Sequence, residues 1–285
     1  MSRDNGAAVV GLGNLGRAIA LRLLERGWDL RVADTKAARV GPLIDAGAVQ
    51  TNPAGLADVG IVCFAVPDAQ AIRTVLEEGL ASRLGPFHTV VVHSTVLPAE
   101  AKALAATVEA RGASFVEAPV SGGAERALHG DLAVMLGGQP AAISGISELI
   151  ADLARQSFEL GSVGAASATK LANQLVMFAT LAGLTEGLRL AASHGVTDTA
   201  ALEAFAAGTG DTWVGRNWGF FDAVASDYDA AGVLISDRPW SKDIWEILAA
   251  GREADVELPF AGLLSQTIAR TVESHATTTR KGEDA

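Results

Sequence analysis

Residues 7–27 read AAVVGLGNLGRAIALRLLERG, and this stretch decides the fold. A short apolar run, residues 7–10, has the length and composition of a buried strand. Leu15, Ile19, Leu23 and Leu24 then recur at helical spacing until Gly27 stops the pattern. Between the two lie Gly11, Gly13 and Gly16 in the GxGxxG arrangement. Gly11 permits a tight turn, Gly13 lets the backbone approach a pyrophosphate, and Gly16 lets helix and strand pack closely. The pyrophosphate would sit on the amides at the helix N-terminus, around Asn14 and Leu15, and Leu12 counts with them among the cofactor-binding residues of the loop. A second strand, DLRVAD, ends on Asp34. A carboxylate there accepts from the ribose 2′-hydroxyl of NAD and repels the 2′-phosphate of NADP, so the motif favours NAD over NADP. Lys36 and Arg39 follow Asp34 closely enough to leave NADP as the second choice.

Outward from this unit the chain keeps alternating. The runs VGIVCFAV, HTVVVHST, ASFVEAPV, DLAVMLGG and SFELG read as strands separated by helical segments, which predicts a parallel sheet covered on both faces. After Gly164 the strand signals stop. A long helix is predicted over about 165–193, roughly 40 Å at its length, followed by helices over 198–207, 241–251 and 258–274. The expected organisation is an α/β class: a Rossmann-type dinucleotide-binding domain over 1–163 and an all-α domain over 164–285, joined by the long helix. The tail TTTRKGEDA is polar and expected to fray.

Composition narrows the function classes. The chain has 285 residues, 49% hydrophobic and 19% charged, with a net charge of -11. That acidity argues against nucleic acid or an anionic membrane as partner. Cys63 is the single cysteine, set in the apolar run GIVCFAV, so no intrachain disulfide forms and a cytoplasmic setting fits. The five histidines are scattered without metal-ligand spacing, so no metal is expected. No targeting segment is recognisable at the N-terminus. The uncharged helical run over 171–185 is too short to span a bilayer and carries Asn173 and Gln174.

Three further loops fall at carboxyl ends of strands, where such sheets bind ligands. Val66 and Pro67 are placed to pack on the adenosine side, and Thr95 to reach the nicotinamide ribose. Ser121, Gly122 and Gly123 offer a hydroxyl and open backbone amides, a seat for a carboxylate. Ordinary turn and capping chemistry is the alternative at each.

GLGNLG, APVSGG, GAASATKLANQ and KDIWEILAA occur in that order. Together they resemble the β-hydroxyacid dehydrogenase family, which includes 3-hydroxyisobutyrate dehydrogenase and tartronate semialdehyde reductase, and the resemblance covers nearly the whole chain. It implies a nicotinamide-dependent oxidation of a small 3-hydroxy acid, or reduction of its semialdehyde, with the helical domain used in oligomerisation; the apolar long helix fits a homodimer or homotetramer. By position it implies Lys170 as the catalytic lysine and Ser121, Gly122 and Gly123 as the substrate-carboxylate loop. It further implies Asn173 and Gln174 as the pair holding substrate, and Lys242 and Asp243 as the "KD" pair, whose lysine reaches the cofactor and whose aspartate counts with the substrate residues. Thr95 matches the threonine of the family's "ST" element. The departures are Glu117 for the usual Asp, Gln174 for Asn, Leu15 for Met, and Trp245 for a smaller aliphatic.

The reaction type asks for a proton-transfer group beside the carbon-bound oxygen. A desolvated lysine suits it, because burial disfavours the ammonium and brings proton exchange toward neutral pH. Lys170, Asn173 and Gln174 share one helix face at i, i+3 and i+4. Lys242, in the first turn of a helix beginning after Ser241, opposes the helix dipole, and contact with an anionic cofactor would offset that. His93, at a strand end, is the rival proton donor. Trp213, Trp218, Phe220 and Phe221 read mainly as core or interface packing. The alternatives are an imine reductase of the same architecture, whose members usually carry Asp or Tyr in place of this lysine, and a non-catalytic cofactor-binding module.

Overall fold

The computed structural model describes residues 6–283, with side chains described up to residue 276. The chain divides into two compact units, Met1–Lys170 and Leu171–Ala285.

The first unit is built on β1 (Gly6–Val10), α1 (Asn14–Glu25), β2 (Asp29–Ala33), α2 (Ala37–Asp45) and β3 (Val49–Gln50). There follow β4 (Ile61–Phe64), α3 (Ala69–Val75), α4 (Ala81–Arg83), β5 (Thr89–Val92), α5 (Pro98–Glu109) and β6 (Ser114–Glu117). These six strands are parallel in the order β3-β2-β1-β4-β5-β6. The chain leaves β1 to one side for β2 and returns on the other side for β4. The reversal opens a crevice at the carboxyl ends of β1 and β4. Val9, Cys63 and Val91 face one core with Ile19, Leu23, Leu43 and Leu149. Val10, Phe64 and Val92 face the other with Leu56, Ile72 and Leu104. Burial on both sides explains why these strands are uninterrupted apolar runs rather than alternating ones.

The expected all-parallel sheet needs correction beyond β6. The chain continues through β7 (Val120–Ser121), α6 (Gly123–Leu128), β8 (Leu132–Gly138), α7 (Pro140–Gly145), α8 (Ser147–Leu153) and β9 (Ala154–Glu159). β8 runs antiparallel to both β6 and β7, and only β9 is parallel to it. The link over residues 122–131 is too short for a parallel crossover, so β7 and β8 pair as a hairpin does. A second side-chain hub sits on this unit. Asp152 accepts from Trp28 Nε1 (2.9 Å) and Arg26 Nε (2.7 Å), while its backbone oxygen accepts from Arg22 Nε (2.9 Å), tying α1 to α8.

The unit boundary falls inside α9 (Ala165–Ala192), which is 28 residues long. Taken whole, α9 is long and apolar enough to cross a membrane, where its uncharged run alone is not; length and composition like these also suit the core helix of a soluble protein. The second unit continues with α10 (Asp198–Ala207), α11 (Trp213–Arg216), α12 (Phe220–Ala230), α13 (Pro239–Glu253) and α14 (Pro259–Glu283). α11 and α12 are additions to the expected helices. α13 starts earlier than expected because Pro239 occupies its first turn, where a missing N–H costs nothing. α14 runs to Glu283, so the backbone is helical through most of the tail expected to fray; residues 284 and 285 lie outside the described residues. Trp240 anchors the unit, with Phe221 and Tyr228 edge-on to it. Buried Arg238 is neutralised by Asp229 and Glu273.

Candidate active site

The glycine loop has the shape its sequence required. Gly11 takes a φ of 85°, and a Cβ there would stand 2.5 Å from the Ala65 carbonyl oxygen. A Cβ at Gly16 would stand 1.8 Å from the carbonyl oxygen of Gly11, so α1 and β1 meet only because both positions are bare. Gly13 differs: nothing lies within 4 Å of the Cβ it lacks. Its bareness serves no contact inside the protein and leaves open the approach to the N-terminus of α1. That terminus has no side-chain cap and no acidic residue in its first turn. An uncapped, acid-free helix start behind an open glycine fits an anionic pyrophosphate.

Asp34 does more than sequence reading assigned to it. Its Oδ2 accepts from the Leu12 amide at 2.6 Å and its Oδ1 from the Lys36 amide at 2.7 Å, so the carboxylate pins the glycine loop. Each oxygen retains a further lone pair for a hydroxyl. Arg39 stands 3.5 Å from Oδ2.

At the ends of β4 and β5, Val66 is half-buried and Pro67 exposed, with Thr95 half-buried nearby in sequence. The Val66 amide donates to Ser94 Oγ at 2.9 Å, joining these two strand ends. Ser94 was missed in the sequence reading, although the ST dipeptide contained it. His93 is corrected as the rival proton donor. It is buried, its Nδ1 donates to the Ala118 carbonyl at 2.8 Å, and burial pushes its pKa down to about 4 against the opposing effect of that bond. Its Nε2 is buried and has no hydrogen-bond partner among the described residues. The bond to Ala118 ties the end of β5 to the end of β6. Cys63 is likewise buried, its thiol pushed up to about 12 by desolvation.

Past β6, Gly122 and Gly123 adopt φ of 132° and 72°, a backbone that side chains other than glycine's disfavour. Ser121 ends β7, paired with Ala133, and is half-buried.

On α9, Lys170 is 8% exposed and Gln174 5%. Asn173 is half-buried, its Nδ2 3.5 Å from Gln174 Oε1. In the second unit the Gln174 amide donates to Asp243 Oδ2 at 2.8 Å. Lys242 pairs with Glu246 at 2.7 Å and with Asp243 at 3.5 Å. Burial works to lower the Lys242 pKa, but the two carboxylates outweigh it and hold it above the ordinary value. These pairings also answer the expected conflict of Lys242 with the dipole of its helix, since Glu246 lies one turn further along it. Among the described residues no cluster of His, Cys, Asp and Glu is set to hold a metal.

The family models that match the chain meet at residues 163 and 164, a few residues before the boundary of the structural units. Residues 7–163 match the family model for the NAD binding domain of 6-phosphogluconate dehydrogenase, and residues 164–283 the model for NAD-binding of NADP-dependent 3-hydroxyisobutyrate dehydrogenase. The chain belongs to the β-hydroxyacid dehydrogenase family. An L-threonate dehydrogenase of Cupriavidus necator is 30% identical over 93% of this chain and 89% of its own. The fold is that of a Mycobacterium tuberculosis 3-hydroxyisobutyrate dehydrogenase solved with L-serine, at a TM-score of 0.79 and 22% identity over 95% of each chain. An imine reductase from Pseudomonas sp. shares the fold at a TM-score of 0.68 and 19% identity, covering 95% of this chain and 94% of its own.

As a β-hydroxyacid dehydrogenase the chain is an oxidoreductase with nicotinamide-binding domains. The structure brings the glycine loop, Asp34 and Val66 together in the first unit. It brings Gln174, Asp243 and Lys242 together in the second. Lys170 closes the first unit, and Asn173 and Gln174 open the second on the next turn of the same helix.

Proposed function

We propose that this enzyme oxidises a small 3-hydroxy acid, or reduces the matching semialdehyde, with Lys170 as the proton-transfer group. The observation that carries this reading is a lysine only 8% exposed, inside α9, in a chain that also presents a dinucleotide cradle. When bound, the nicotinamide cofactor supplies the hydride exchange. Lys170 Nζ takes the hydroxyl proton during oxidation and returns one to the oxygen during reduction. Ser121, with the amides of Gly122 and Gly123, holds the substrate carboxylate, and Asn173 assists. Gln174 and Asp243, bonded to each other, keep fixed donors and acceptors toward the substrate. Lys242 serves the anionic cofactor, together with Thr95, Val66 and Pro67. The carboxylate of Asp34 supports NAD over NADP; the nearby Arg39 and a second domain that matches an NADP-dependent type keep that preference open to test.

The reading is tested by assaying 3-hydroxy acids, semialdehydes and cyclic imines with NAD(H) and NADP(H). Turnover of 3-hydroxy acids with NAD is expected; turnover of imines alone would overturn it. Lys170→Ala should lower kcat by about 10²- to 10⁴-fold while NADH still binds, as followed by its fluorescence. The fold is shared with imine reductases and does not separate the two chemistries, but the lysine supports the hydroxy acid. A homodimer or homotetramer is proposed from the exposed Val176 and Leu190 of α9 and Phe260 and Leu263 of α14, with light scattering as the test. A cytoplasmic location fits the reduced, buried Cys63.

A further inference from the structure

We infer that Glu117 is a positioning residue for Lys170: its carboxylate, delivered from the sheet, caps the first turn of α9. The inference rests on the proton-transfer reading of Lys170. Glu117 ends β6 and is 1% exposed. Its Oε2 accepts from the Gly164 amide at 2.6 Å, and its Oε1 accepts from the Ser167 amide at 3.2 Å and from the Ser167 hydroxyl. Those amides belong to the start of a long helix that has no acidic residue in its own first turn. A buried carboxylate is costly unless its lone pairs are filled. Here three donors from one helix turn fill them, and the negative charge meets the positive end of the helix dipole.

The surroundings are built for this contact. Gly137, opposite Glu117 across the sheet, would place a Cβ 2.5 Å from Oε2, so a bare position makes room for the carboxylate. Gly164 holds a φ of 101°, turning the chain so that its amide faces the acid. The length of the Glu117 side chain lets the acid reach from the strand end into the helix turn.

Two consequences reach Lys170. Ser167 stands three residues before it on the same helix face, so anchoring Ser167 fixes the turn from which the lysine projects. β6 also continues through Ala118 and Pro119 into Ser121, Gly122 and Gly123, so one strand end sets the register of both the lysine helix and the substrate loop. The second consequence is electrostatic. The Glu117 charge favours the ammonium of a lysine one turn on, and its removal leaves the helix dipole to disfavour that ammonium. Lys102 of α5 also stands near this turn, its side chain beside Gly164, and substitution at Glu117 leaves it in place.

The experiment is the pH profile of kcat/KM for hydroxy acid oxidation in the wild type, Glu117→Gln, Glu117→Asp and Lys170→Ala. In Glu117→Gln the acid limb should move to lower pH by about half a unit to one unit, with kcat lowered about tenfold and NADH affinity unchanged. Glu117→Asp keeps the charge on a side chain one methylene shorter and should move the limb by less than Glu117→Gln does. A lower kcat with an unmoved limb in Glu117→Gln, while Lys170→Ala is inactive, overturns the inference alone. Retained turnover in Lys170→Ala overturns it together with the reading beneath it. Should Glu117→Gln fail to fold, Ser167→Ala removes one donor and keeps the acid. Its kcat should fall about threefold at constant cofactor KM, and an unchanged kcat counts against the inference.

Discussion

The glycine loop and the Gln174–Asp243–Lys242 cluster are held together by opposite means. The loop is made of backbone. Its close packing follows from two bare positions, Gly11 and Gly16, and Asp34 adds a side-chain tie. The cluster is made of side chains from α9 and α13, far apart in sequence, held by a buried amide–carboxylate bond and two ion pairs. Backbone sites fail by steric exclusion, all at once. Side-chain sites fail by losing one partner at a time.

The largest effect expected is therefore in the loop. Gly16→Ala drives a methyl into the Gly11 carbonyl and should cost about 3 kcal/mol in denaturant unfolding, with loss of cofactor binding. Gly13→Ala provides the contrast. Its Cβ meets nothing in the protein and its φ of -67° suits alanine, so stability should hold. NADH affinity should still fall at least about tenfold, about 1.4 kcal/mol, because the methyl occupies the approach to the helix start. Equal losses of stability in the two variants would end the distinction drawn between those glycines.

Next comes the cluster. Gln174→Ala removes the amide from buried Asp243 and should cost about 2 kcal/mol of stability. Gln174→Asn should recover part of it, since the shorter amide falls short of the 2.8 Å bond. A cost below half a kcal/mol, by urea titration, would show that the bond contributes little to that unit.

The smallest effect tests whether the contrast lies between units or between backbone and side chain. Asp152 is a side-chain hub within the first unit. Burial raises its pKa, but the bonds from Trp28 and Arg26 and the charges of Arg26 and Arg22 outweigh that and hold it below the usual carboxylate range. A group with a lowered folded pKa contributes stability that is full above its unfolded pKa and is lost as pH falls through the folded value. Asp152→Ala should cost about 1 kcal/mol at neutral pH, chiefly from the Trp28 indole left without its acceptor. Its deficit relative to wild type should shrink below about pH 4. A deficit that grows on acidification would reverse the sign argued here.

Sequence reading reached furthest where the physics is local. GLGNLG implied a strand, a turn and a helix because glycine spacing constrains neighbouring backbone, and the apolar run after Gly164 implied the long helix carrying Lys170 that the structure shows as Ala165–Ala192. It missed the antiparallel β7–β8 pair, because strand direction depends on link length and neighbours rather than on the strand's own residues. It also offered His93 as a rival acid–base group, since the letter alone does not show a ring sealed in the core. Ser94 passed unnoticed because its partner, the Val66 amide, lies in another loop.

By itself, then, the sequence determined the dinucleotide cradle and the division into an α/β half and a helical half, properties written in short-range spacing, while the order of four motifs along the chain carried the resemblance to the family. Only the tertiary structure decided what each polar side chain answers to. Glu117 turned out to hold the start of the lysine's helix, and Gln174 to hold Asp243, because a buried polar group is defined by the partner that satisfies it, and those partners come from distant parts of the chain.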